Sequence, residues 1–69
     1  MKINFKAYVE QLETWISAFQ KQATSDEQYA SIDAAKVHVV AAITSLEDGK
    51  ERAAIWFLFS AVRSLAFCC

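Results

Sequence analysis

The sequence has no proline, one glycine and one histidine, and its only two cysteines, Cys68 and Cys69, are adjacent. An all-β chain of this size needs many tight turns, which draw on glycine and proline, so that class is excluded and a few long elements are expected. Two adjacent cysteines make no disulfide framework, which favours a reducing, cytoplasmic setting. A lone histidine and that cysteine pair are too few ligands for zinc unless a dimer pools them, so no metal is expected. Basic residues are sparse too. Lys2, Lys6, Lys21, Lys36, Lys50, Arg52 and Arg63 are scattered among eight acids for a formal net charge of -1, without the basic cluster that a nucleic-acid partner requires. No serine, histidine and acid constellation is readable, and Glu10, Glu13 and Asp33 read as solvated helix positions. No catalytic residue, no cofactor and no enzymatic activity are expected.

Apolar residues are abundant, at 55% of 69 residues, above the usual ~45–50%. A chain of this length forms a single domain, 1–69, whose core is only marginally sufficient alone. The start, MKINFKAYVEQLETW, carries acids from Glu10 onward and no apolar run, so it does not read as a signal peptide.

Periodicity divides the chain into three helices, at about 4–22, 26–46 and 50–67. In the first, Phe5, Tyr8, Val9, Leu12, Trp15, Ile16 and Phe19 recur on one face of a 3.6-residue period, with Asn4 as N-cap. ATSDEQ then carries a start signal. Thr24 with Glu27, or Ser25 with Gln28, has the capping-box spacing, and Asp26 and Glu27 suit the positive end of the helix dipole. The second helix shows an apolar stripe of Tyr29, Ile32, Val39, Val40, Ile43 and Leu46. On its flank lie Ala30, Ala34, Val37 and Ala41, small enough for close approach of another helix. Gly49 is suited to the left-handed residue that ends this helix. Short connections make consecutive helices antiparallel. The fold class is therefore all-α: a three-helix antiparallel bundle, or a hairpin plus a C-terminal helix, completed by homodimerisation.

The third helix contains AAIWFLFSAV, Ala53 to Val62, without a charge. From Ala53 to Cys69 a helix reaches roughly 25 Å at ~1.5 Å per residue, short of ~30 Å of hydrocarbon. Its apolar residues fall on three stripes: Ile55, Leu58, Phe59, Val62, Leu65 and Ala66 as core; Trp56, Ser60, Arg63 and Phe67; and Phe57, Ala61, Ser64 and Cys68. A helix apolar all round is buried all round, and two other helices cannot cover it. The expected interface comprises Trp56, Phe57, Phe59, Arg63 and Phe67, with Lys36 from the second helix, whose amine interrupts an apolar stripe. Core filling by the aromatics, and snorkelling of Arg63 and Lys36 to water, are the plainer alternatives. His38 lies opposite the second helix's stripe, which places it in solvent or at an interface rim. Cys68-Cys69 resembles the double-cysteine end that is prenylated on small Rab-type GTPases, but the chain lacks a P-loop and is far too short to be one.

These features converge on a small non-enzymatic protein–protein interaction module, such as an adaptor, regulator or inhibitor. It would bind itself as a homodimer and another protein besides, a size and style that suit an accessory protein of a bacterium or phage. The competing expectation is a membrane-associated protein that inserts its apolar C-terminal helix.

Overall fold

The computed structural model describes residues 4–66, which form helices α1 (Phe5–Gln22), α2 (Asp26–Glu47) and α3 (Glu51–Ala66), with no strand among them. The helix boundaries follow from local chemistry. Asn4 caps α1, its Oδ1 accepting from the Ala7 N–H at 3.2 Å. Of the two possible capping boxes before α2, the one formed is Ser25 with Gln28. The Ser25 hydroxyl accepts from the Gln28 N–H at 3.2 Å, while Gln28 Oε1 accepts from the Thr24 and Ser25 N–H groups at 2.8 and 3.2 Å. Tyr29 ties the same corner from outside, its hydroxyl donating to the Ala23 carbonyl at 3.1 Å.

At the other end of α2, Gly49 has φ +77°. The Gly49 N–H donates to the Leu46 carbonyl at 3.0 Å and the Lys50 N–H to the Ser45 carbonyl at 2.8 Å. That bond pair is a Schellman motif, which satisfies carbonyls at the end of α2 and turns the chain back into α3.

The core differs from the sequence expectation in which faces it uses. It consists of Phe5, Leu12 and Ile16 from α1, Ile32, Ala35, Val39 and Ala42 from α2, and Ala54, Leu58, Ala61 and Leu65 from α3. Val9, Phe19, Ile55 and Phe57 pack against it, and no polar side chain is buried among the described residues. On α2 the expected stripe is rotated: Tyr29, Val40, Ile43 and Leu46 are exposed, and Ala35 and Ala42 take their place. On α3, Phe59, Val62 and Ala66 are exposed while Ala54 and Ala61 are buried. The expected α1 face holds, although Tyr8 and Trp15 stand at its exposed edge.

The physical reason is the α2–α3 hairpin. These helices pack against each other far more extensively than either packs on α1. Half-buried positions along α2 run Ala34, His38, Ala41, Ser45, and along α3 they run Ala53, Phe57, Ser60, Ser64. Both runs step by four, three and four residues, the spacing of a two-helix seam. Apart from one aromatic pair, every member is alanine or serine, which lets the backbones come close. Close approach has an angular consequence, because it turns Ala35, Ala42, Ala54 and Ala61 inward and Val37, Val40, Val62 and Phe59 outward. Ser60 is accommodated in the seam because its hydroxyl donates to its own helix, to the Trp56 carbonyl at 3.1 Å.

The aromatic pair is His38 and Phe57, stacked with ring centroids 6.3 Å apart and planes 25° from parallel. His38 is thus half-buried in the seam, in contrast to the solvent or rim position expected of it. The expectation failed because it measured His38 against a stripe that α2 does not use as its core.

Candidate interaction surface

Among the described residues the three helices leave about as many large apolar side chains outside as they pack inside. Ten of these described residues are exposed, namely Tyr8, Trp15, Tyr29, Val37, Val40, Ile43, Leu46, Trp56, Phe59 and Val62, against seven buried beyond the four alanines and Val9, Phe19, Ile55 and Phe57 packed on them. Scattered exposed apolar residues are ordinary, but contiguous sets of them mark interaction surfaces.

One such set borders a cleft of about 130 Å³ between α1 and α3, lined by Tyr8, Leu12, Ile55, Leu58, Phe59 and Val62. Leu12 and Leu58 are buried and form its floor; Tyr8, Phe59 and Val62 are exposed and form its walls. It arises because α1 meets α3 over only a limited area. No charged residue lines it, so its chemistry is apolar contact.

A second, shallower trough of about 470 Å³ lies between α1 and α2, lined by Glu13, Ile16, Ser17, Gln20, Lys36, Val39, Val40 and Ile43. Lys36 is half-buried here, sharing the trough with Glu13, Val39 and Val40. The interruption of the apolar stripe at Lys36 fits this position within one chain, since an aliphatic stem can lie along an open trough while the amine turns to solvent.

The remaining expected interface residues fall in different places. Trp56 is 72% exposed and Phe59 67% exposed, the two most exposed large apolar side chains among the described residues. They stand on the outer side of α3 with Arg63, which is also exposed. Phe57 is turned into the α2–α3 seam against His38. Phe67 lies outside the described residues. Trp56, Phe59 and Arg63 thus share one side, while Lys36 opens onto the opposite trough. Sequence reading missed Tyr8, Val37 and Val40 as surface residues. The signal available was the seven-residue spacing of Ala35 with Ala42 and of Ala54 with Ala61, which marks the true inner faces.

Among the described residues no group of three or more His, Cys, Asp or Glu side chains is placed to hold a metal ion, and no helix is long and apolar enough to cross a membrane. The molecule is defined, at the level of class, as an all-α protein of three helices with apolar surface on α1 and α3. Compared with known proteins, the chain matches no family model, no curated protein and no solved structure.

Proposed function

We infer that this chain is a small non-enzymatic protein–protein interaction module, an adaptor, regulator or inhibitor, that acts as a homodimer through an apolar helical surface. One observation carries the reading: α3 exposes Trp56 and Phe59 by 72% and 67% beside the apolar α1–α3 cleft. Aromatic side chains held out in water on a rigid helix lose little conformational freedom when a partner covers them, and they dominate binding energy at interfaces. Arg63, on the same side, adds a charged group of the kind enriched at such centres. A second copy covers part of this surface, and another protein binds what remains. The lone cysteine pair favours a reducing, cytoplasmic setting for the complex.

Sedimentation equilibrium of three variants tests the reading. Trp56→Ala and Phe59→Ala should each weaken self-association by about tenfold or more, while Lys21→Ala, on the far side of α1, should leave it unchanged. An association constant that neither aromatic replacement alters would overturn the assignment.

A further inference from the structure

Resting on that homodimer reading, we propose which face the second copy covers: the side of the α2–α3 hairpin turned away from α1, with α2 of each copy lying antiparallel to α3 of the other. Two outward stripes define this face. Along α2 run Ala30, Asp33, Val37, Val40 and Thr44, stepping by three, four, three and four, and all are exposed. Along α3 run Arg52, Trp56, Phe59 and Arg63, stepping by four, three and four, again all exposed, with Phe59 at the edge that also walls the α1–α3 cleft. Both spacings are those of a helix seam that has no partner helix in the monomer.

Charge selects the pairing. The α2 helix carries Asp26, Glu27, Asp33 and Glu47 against the single Lys36, whereas the outer stripe of α3 carries Arg52 and Arg63 with no acid; Glu51 lies on the side toward α1. A two-fold axis lying in the interface at right angles to the helices would set α2 on α2 and α3 on α3, acid against acid and arginine against arginine. A two-fold axis parallel to the helices sets α2 on α3 instead, and every neighbouring pair in the resulting four-helix bundle is antiparallel.

The heights also agree. Rotation about an axis parallel to the helices leaves each residue's height unchanged, so heights can be counted from the His38–Phe57 stack. Five residues back along α2 from His38 is Asp33. Five residues on along α3 from Phe57 is Val62, which puts Arg63 of the partner subunit about 1.5 Å from the level of Asp33. Nine residues on from His38 is Glu47, about 6 Å in height from Arg52 of the partner subunit, within reach of two long side chains. Trp56 of the partner subunit arrives one residue from the level of His38, between the exposed Val37 and Val40. The most exposed aromatic therefore meets the most exposed aliphatic pair, flanked above and below by opposite charges.

Charge reversal tests this arrangement on the full chain, with helix content checked by circular dichroism and association measured by sedimentation equilibrium at low salt. Each contact occurs twice in the dimer, and reversal replaces attraction by repulsion. Asp33→Arg and Arg63→Asp alone should therefore each weaken the dimer by about tenfold. The doubly reversed protein should recover to within about threefold of wild type, because the pair is restored with its signs exchanged. Single reversals without effect, or a double variant no tighter than the singles, would overturn the proposal. So would a dimer that resists Asp33→Arg yet is lost on Tyr8→Ala, which would move the interface to the α1–α3 cleft and leave the homodimer reading standing. A wild-type protein that stays monomeric would overturn both.

Discussion

Replacing Ala61 by leucine probes the feature that most determines this fold, the small-residue packing of α2 against α3. Ala61 is 0% exposed, as are Ala54 and Ala35, and Ala42 is 2% exposed. Three added carbons have no space at such a position unless the helices separate. Overpacking of this kind costs about 1–3 kcal/mol, whereas the difference in helix propensity between alanine and leucine is only about 0.2 kcal/mol. The steric term decides the sign. At roughly 4–8 °C per kcal/mol for a domain of this size, a 2 kcal/mol loss lowers the melting temperature by about 8–16 °C. The same substitution at Ala18, exposed on the outer side of α1, should shift stability by less than about 0.5 kcal/mol. Thermal and urea melts followed by circular dichroism, at one protein concentration for all variants, give the comparison. Equal effects at the two positions, or stabilisation by Ala61→Leu, would refute close packing of the hairpin.

Two further predictions concern the helix ends. Ser25→Ala removes half of the capping box before α2 and should cost about 1 kcal/mol; urea melts check it, and no loss would mean that Gln28 and the α1–α2 corner suffice alone. Gly49→Ala should cost about 1 kcal/mol although nothing lies within 4 Å of the added carbon. The left-handed conformation costs a non-glycine residue about 1–2 kcal/mol, partly offset by the smaller entropy of the unfolded alanine chain. A neutral result would show that the α2–α3 turn relaxes out of the Schellman geometry.

Helix number and helix ends were legible in the sequence because they depend on local chemistry. Asn4, the Ser25–Gln28 spacing and Gly49 act on backbone groups within a few residues of themselves, so their effect can be read without knowing what the helix packs on. The rotation of each helix about its axis was not legible by the same route. Ranking side chains by hydrophobicity placed Tyr29, Val40, Ile43 and Leu46 inside α2, yet the inner face is set by how closely α3 approaches, and approach is governed by the smallest residues. Ala35 and Ala42 carry little apolar area, but they permit the hairpin that buries Ile32, Val39, Leu58 and Leu65. The same error propagated to His38, judged against the wrong stripe. It did not propagate to Trp56, because the face that α3 does bury, Ala54, Leu58, Ala61 and Leu65, and the stripe expected as its core, from Ile55 to Ala66, both leave Trp56 outside. Phe57, one residue away, falls in the seam for the same geometric reason.

Rotation of the helices also explains why the surface is more apolar than a monomer requires. With alanines inside, the large residues that would fill an ordinary three-helix core stand outside it. The exposed stripes of α2 and α3 are a consequence of the same tight hairpin that makes the inner core, so fold and interaction surface have one origin.

The central claim is that this outward apolar surface exists to be covered by another chain, first by its own copy. The most direct measurement is light scattering across a gel-filtration peak, without detergent, with reductant present, from micromolar to millimolar protein. The account predicts a mass of twice the 7.7 kDa chain over most of that range, falling only on dilution or added salt. A mass of one chain at every concentration would contradict it.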